Sequence, residues 1–240
     1  MPPLYLLDGA LLGVFMIAAC LGTAALEHPS SPLRQHLRTA LARRALMGLL
    51  MGGTAIALIH SPWGRASGAL MNPAVVLAFF ELGRIPALEA LLYAAAQLAG
   101  GLLGVLLCAV ALPRILAHPA VDYACTKPGP RGRTAAFAVE VLITGALLSI
   151  VLRVSAEPAT RAWTGWIAGA LVALYILLAA PFSGMSMNPA RTLASALPAR
   201  RFTALWVYLT APLLGASLAA AFAPEPSTAH AAPAARICPE

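Results

Sequence analysis

The sequence has 240 residues, of which 60% are hydrophobic and only 10% are charged, and its formal net charge is +7. Soluble globular domains carry about 25% charged residues, so this composition excludes an ordinary soluble protein and indicates one embedded in a lipid bilayer. The positive charge comes mostly from arginines scattered through loops, so we expect lipid headgroups rather than nucleic acid as their partners.

Six apolar segments are long enough to cross the bilayer as helices, which takes about 20 residues. They lie near residues 4–25, 42–60, 86–112, 134–154, 163–181 and 202–223. These segments predict an all-α, multi-pass membrane protein. No Lys or Arg precedes the first segment, and Asp8 interrupts it, so we expect a retained helix rather than a secretion signal. The Ala/Pro-rich residues 223–240 predict a disordered tail.

A motif occurs twice in the loops, as SGALMNPA at residues 67–74 and as SGMSMNPA at residues 183–190. The first copy follows the second apolar segment and the other copy follows the fifth. With three segments in each half, the two copies enter the membrane from opposite faces. The sequence therefore predicts a channel domain over residues 1–222, built from inverted three-helix repeats at about 1–112 and 134–222.

Each N-P-A triplet is expected to begin a short helix. Asparagine is a favoured N-cap, and proline fits the first helical position. The apolar stretch after the first triplet is too short to span, so both loops are predicted to dip into the membrane as re-entrant half-helices. Their positive N-terminal ends would meet at mid-membrane and repel cations, with amide donors facing a narrow pore. The motif residues are Asn72, Pro73, Ala74, Asn188, Pro189 and Ala190.

Three charged residues within the apolar regions have two interpretations each. Arg191 follows the second motif, and we expect it to line the pore rather than extend to the headgroups, because a charge at that depth is costly away from water. Asp8 and Glu140 open the first and fourth segments. They are either proton carriers or acceptors for backbone N–H groups of the re-entrant loops, and their symmetric placement favours the second role, in which they brace the loops.

Together these residues resemble the aquaporin or major intrinsic protein family, from Asp8 to about Ala221. The resemblance rests on both motifs, on the two acids, on AQLAGG at residues 96–101 and on WVYLTAPLLGA at residues 206–216. It implies six transmembrane helices plus two half-helices, passive flow of water or small uncharged solutes, and a homotetramer with one pore in each subunit.

The resemblance also implies a selectivity constriction, which counting from the motifs places at Gly52, Ile176, Met185 and Arg191. Glycine and isoleucine stand where strict water channels have a large aromatic residue and a histidine. A wider, more apolar constriction is similar to that of the nodulin-like proteins of plants and related bacterial channels, which pass glycerol, urea or undissociated metalloid acids. A strict water channel is the alternative, because the flexible Met185 side chain can fill the space left by Gly52.

The predicted function is therefore a passive channel for small neutral solutes and water that excludes protons and cations. The alternative from another class is a proton-coupled secondary transporter, suggested by inverted repeats and intramembrane acids. No catalytic or metal-binding pattern lies in the apolar segments, so we expect neither an enzyme nor a cofactor or metal. We expect a bacterial inner membrane with both termini cytoplasmic, although the loop arginines alone favour the reverse orientation.

Overall fold

The structure is a computed structural model, and it describes residues 3–223. Eight principal helices carry the fold, joined by loops that contain short helical turns. The predicted tail at 223–240 lies, apart from Ala223, outside the described residues. The helices are α1 (Leu4–Glu27), α2 (Ala40–His60), α3 (Pro73–Glu81), α4 (Ala87–Ala111), α5 (Gly132–Ala156), α6 (Thr164–Ser183), α7 (Pro189–Ala199) and α8 (Leu205–Ala221).

Six of these helices match the six predicted spans. Five are long and apolar enough to cross a bilayer, and α8 is a shorter apolar helix of 17 residues. At 1.5 Å per residue, α8 measures about 26 Å, close to the thickness of the hydrocarbon core. The half-helices α3 and α7 have only 9 and 11 residues and cannot span. The predicted all-α fold with six spans and two half-helices is confirmed.

The two halves repeat each other in backbone detail as well as in sequence. Gly68 and Gly184 have φ of 88° and 77°, and Ala69 and Met185 have φ of 49° and 52°. The residues just before the asparagines, Met71 and Met187, have φ of 45° and 54°. Residues that carry a side chain rarely adopt this left-handed backbone conformation, which costs about 1–2 kcal/mol for each L-residue. Both loops therefore share one strained conformation that surrounding contacts must stabilise.

Small residues set how closely the long helices pack. At the crossing of α1 and α4, a Cβ on Gly100 would lie 2.0 Å from the carbonyl oxygen of Gly9. At the corresponding crossing of α5 and α8, a Cβ on Gly215 would lie 2.5 Å from the oxygen of Val141. Backbones approach this closely in membrane helices where side chains are small. Close contacts at glycines thus join the first and last long helices of each repeat.

Candidate functional site

A cavity of about 400 Å³ runs between the long helices and the two half-helices. Residues four apart line it on two helices, namely Met47, Met51, Ala55 and Ile59 on α2 and Ala168, Val172, Ile176 and Ala180 on α6. Arg44 and Ile59 both line it, and the helical rise between them is about 22 Å. The cavity therefore follows most of the bilayer thickness.

The two motif asparagines meet at the centre of this cavity. The Oδ1 atom of Asn72 accepts a hydrogen bond from the Ala74 backbone N–H at 2.9 Å, and that of Asn188 accepts one from the Arg191 N–H at 3.1 Å. Each Nδ2 donates across the pseudo-symmetry axis at 2.7 Å, from Asn72 to the Met187 carbonyl and from Asn188 to the Met71 carbonyl. An amide NH₂ has two donors, so one N–H on each side chain remains for a solute.

This arrangement also fixes the direction of the half-helices. Because Asn72 and Asn188 are the N-caps of α3 and α7, the N-terminal ends of the two half-helices face each other. A helix N-terminus carries a partial positive charge of about half an electron unit. Two such ends directed at one point make the centre of the cavity electropositive.

The two intramembrane acids lie behind the strained loops, and both are fully buried. Asp8 accepts hydrogen bonds from the Met71 N–H at 2.8 Å and from Gln97 Nε2 at 2.7 Å, both on Oδ2. Glu140 accepts from the Ser186 N–H at 2.9 Å on Oε1 and from the Met187 N–H at 2.6 Å on Oε2. The structure thus places each carboxylate against backbone N–H groups of the loop in its own repeat.

Arg191 lines the cavity from the first turn of α7, three residues after the Asn188 N-cap. Its Nη1 donates to Oγ1 of Thr126, at 2.5 Å, and Thr126 lies in the loop between α4 and α5. The sequence singled out Arg191 but not Thr126, because the two residues are 65 positions apart and no local pattern joins them. The loop threonine holds the guanidinium group in one orientation.

Residues 117–131, here called the mouth loop, line one end of the cavity. Within it, Asp122, Tyr123 and Ala124 are three consecutive left-handed residues with φ of 44°, 54° and 55°. The Asp122 carboxylate forms ion pairs with Lys127 and, at 3.2 Å, with Nε of Arg201 just beyond α7. The Arg201 ion pair connects the strained segment to the end of the second half-helix, the Lys127 ion pair closes within the loop, and together they stabilise the loop beside the cavity.

Three of the four predicted constriction residues, Ile176, Met185 and Arg191, line the cavity. Gly52 packs against α6, where a Cβ would lie 2.5 Å from the Gly169 carbonyl oxygen, and its predicted place in the constriction stays a prediction. Gly52 therefore belongs to the crossing of α2 and α6. The neighbouring residue Met51 lines the cavity.

A signal for the crossing was present in the sequence. Glycines at positions 48 and 52 are four residues apart, which is the spacing of small residues at close helix contacts. A Cβ on Gly48 would lie 2.6 Å from the carbonyl oxygen of Ala173, four residues after Gly169. Two small residues on each helix thus form the contact, and this contact turns Met51 toward the cavity.

Among residues 3–223, no group of three or more His, Cys, Asp or Glu side chains comes together in a way that could hold a metal ion. Cys20, Cys108 and Cys125 are all free thiols.

Similar proteins were found at the levels of family, sequence and structure. Residues 9–222 match the family described as Major intrinsic protein. Aquaporin NIP3-1 of Oryza sativa subsp. japonica is 40% identical over 168 residues, which is 68% of this chain and 52% of that protein. Aquaporin NIP6-1 of Arabidopsis thaliana is 38% identical over 171 residues, which is 70% of this chain and 53% of that protein. The chain thus spans about half the length of these relatives.

A solved structure shares the fold. The X-ray structure of the aquaglyceroporin from Plasmodium falciparum superposes with a TM-score of 0.72, covering 91% of this chain and 94% of that one at 21% sequence identity.

Proposed function

Because the chain belongs to the major intrinsic protein family, we propose that it is a passive transmembrane channel for small neutral solutes and water that excludes protons and other cations. The observation that carries this function is the cavity along the helices with the reciprocal Asn72–Asn188 arrangement at its centre. In this function the chain is a channel and not an enzyme.

Exclusion of cations follows from the charges that face the cavity. The N-terminal ends of α3 and α7 make the centre electropositive, and Arg191 adds a full positive charge beside it. The free N–H groups of Asn72 and Asn188 donate to the oxygen of a passing water. A water that accepts from both cannot keep its place in a proton-conducting chain, so the pore conducts neutral molecules only.

The constriction in this proposal consists of Met51, Ile176, Met185 and Arg191. Three apolar side chains and one fixed donor suit a small neutral molecule with an oxygen acceptor, such as urea, glycerol or an undissociated metalloid acid. The names of the relatives, aquaporins and an aquaglyceroporin, agree with water and small neutral solutes. A strict water channel is the second candidate, because the flexible Met185 side chain can fill the space left by Gly52 and Met51 adds bulk to the cavity wall.

Stopped-flow light scattering of reconstituted vesicles tests the function and its solute. Wild-type vesicles are expected to shrink faster than empty ones in an osmotic gradient and then to refill with urea. Met51→Ala removes the Cγ, Sδ and Cε atoms from the constriction and should accelerate entry of the larger solute glycerol. Gly53→Ala is the matched control, because a Cβ at Gly53 meets nothing within 4 Å.

The outcomes separate the candidates. Fast water efflux without entry of any solute, in wild type and Met51→Ala alike, would favour the strict water channel. Vesicles that neither shrink nor refill faster than empty ones would refute the channel itself.

The proton-coupled transporter is not supported. The pair of buried acids suggested a transporter, but the oxygens of Asp8 and Glu140 already accept hydrogen bonds from the loops. The relatives named above are channels by name. We therefore assign both acids to bracing the two loops rather than to carrying protons.

The protein is an integral, multi-pass membrane protein, and we further propose a homotetramer in a bacterial inner membrane with both termini cytoplasmic. Family resemblance supports these assignments. Cysteines introduced at the exposed positions Arg114 and Glu157 lie in loops that this topology places on opposite sides. An impermeant maleimide should label Arg114→Cys in intact cells and leave Glu157→Cys unlabelled, and the converse result would reverse the orientation.

A further inference from the structure

Methionines are concentrated along the cavity. The chain has seven methionines, and five of them line it, namely Met47, Met51, Met71, Met185 and Met187. Of the other two, Met1 lies outside the described residues and Met16 on α1 is 0% exposed and does not line the cavity, whereas Met51 and Met185, only 2% and 5% exposed, do line it. A molecule moving through the cavity therefore passes several thioethers in succession.

These methionines lie next to the motif asparagines and in the proposed constriction. Met71 and Met187 directly precede the central asparagines, and their carbonyls accept the amide hydrogen bonds across the axis. Met51 and Met185 belong to the proposed constriction. Met47 lies one helical turn from Met51 on α2 and also lines the cavity.

A thioether reacts with hydrogen peroxide without help from a base or a metal. The sulfur lone pair attacks one peroxide oxygen, the O–O bond breaks, and one water leaves as a sulfoxide S–O bond forms. Sulfur loses two electrons, and the peroxide accepts them. Hydrogen peroxide is a small neutral molecule, so it belongs to the class of solute that the proposed function admits.

From these observations we propose that Met51 and Met185 are a modification site for hydrogen peroxide, and that their oxidation to sulfoxides slows solute passage. The inference rests on the proposed function, because the pore is the route by which peroxide reaches the sulfurs. Sulfoxide formation changes a flexible apolar side chain into a polar one and is reversible by reductases.

The thiol that also lines the cavity is a poorer target. Cys125 lies in the mouth loop, and burial raises the pKa of its thiol above the usual value. Thiolate is the reactive form of cysteine, so the neutral thiol reacts slowly. A thioether has no proton to lose, and its reaction depends only on contact with the oxidant.

The effect on conduction follows from the neighbours of the new oxygen. A sulfoxide oxygen is a hydrogen-bond acceptor placed in the same constriction as the Arg191 guanidinium. A charge-assisted hydrogen bond between them would draw the oxidised side chain across the path and occupy the donor that solutes use. We expect about tenfold slower urea entry, the change that one such bond can produce in a barrier.

In the test, vesicles that contain the protein are treated with dilute hydrogen peroxide, and the oxidant is then removed. Urea entry is measured, and peptide mass spectrometry identifies which methionines gained oxygen. The variants are the double Met51→Leu/Met185→Leu chain, which keeps the side-chain volume but has no sulfur there, and Met16→Leu as the matched control. Wild type and Met16→Leu should gain oxygen at positions 51 and 185 and lose urea entry relative to their own untreated vesicles, whereas the double variant, whatever its basal rate, should show the same urea entry before and after treatment.

Two results would overturn the inference. One is oxidation of Met16 to the same extent as Met51 and Met185, which would mean that the cavity gives no preferential access. The other is an equal loss of urea entry in the double leucine variant. Failure of the proposed function is seen separately, because untreated wild-type vesicles would then show no urea entry while the mass spectra still record which sulfurs peroxide reached.

Discussion

The two buried acids should differ in how well an amide replaces them. On Asp8, the Met71 N–H and Gln97 Nε2 share the single atom Oδ2. In Asp8→Asn, the amide oxygen can take that place and keep both bonds. The new NH₂ group then faces the Ser67 hydroxyl, which donates only a long 3.4 Å bond to Oδ1 and can rotate to accept.

Glu140 offers no such arrangement. Backbone N–H groups donate to both of its oxygens, from Ser186 to Oε1 and from Met187 to Oε2. In Glu140→Gln, the amide NH₂ must therefore face one backbone N–H, which leaves that N–H without an acceptor and adds a buried NH₂ donor that has none. At about 1–3 kcal/mol for each unsatisfied donor, the cost is about 2–6 kcal/mol, whereas Asp8→Asn should cost less than about 1 kcal/mol.

The difference can be measured as the fraction of purified protein that stays monodisperse after heating, with water efflux from vesicles as the functional readout. Glu140→Gln should lose folded protein at a clearly lower temperature than wild type, and Asp8→Asn should stay close to wild type. Glu157→Gln, an exposed acid in the loop after α5, is the control for removing a charge. Equal destabilisation by the two amides, or greater destabilisation by Asp8→Asn, would refute this account of loop bracing.

Four further outcomes follow from the site. Arg191→Ala should raise proton leak, measured with a pH dye under an imposed potential, and an unchanged leak would remove Arg191 from the barrier. Thr126→Val deletes the acceptor of that guanidinium and should give a leak between wild type and Arg191→Ala, whereas a wild-type leak would deny it a positioning role. Asp122→Asn should speed limited proteolysis within residues 117–131 by weakening two ion pairs, and equal rates would show that other contacts hold the loop. Gly52→Leu should lower the yield of folded protein because its side chain meets the α6 backbone, whereas an equal loss in Gly53→Leu would contradict the crossing.

The general architecture was accessible from the sequence because local chemistry specifies it. Long apolar runs predict the spans, and asparagine followed by proline predicts where α3 and α7 begin. Two copies of this signal at equivalent places in each half indicate inversion. These features depend on residues that are adjacent in the chain, so no tertiary information is needed to find them.

The mouth loop and the constriction were less accessible. The partner of Arg191 lies 65 residues away, and the Asp122–Arg201 contact joins residues 79 apart, so no local sequence pattern predicts either contact. Counting back from the motif selects position 52, but it does not tell which neighbouring side chain on α2 reaches the cavity. The intervening loop contains the turn Pro62–Ser67, and the packing of α2 on α6 decides which face meets the cavity.

The central claim, a passive pore for neutral solutes, is tested most directly by urea entry into vesicles at increasing urea concentration, with and without an ionophore that dissipates a pH gradient. A pore holding no proton-coupled site predicts entry that rises in proportion to concentration and does not respond to the ionophore. Entry that saturates and collapses when the gradient is dissipated would contradict it and would return the two buried acids to the role of proton carriers.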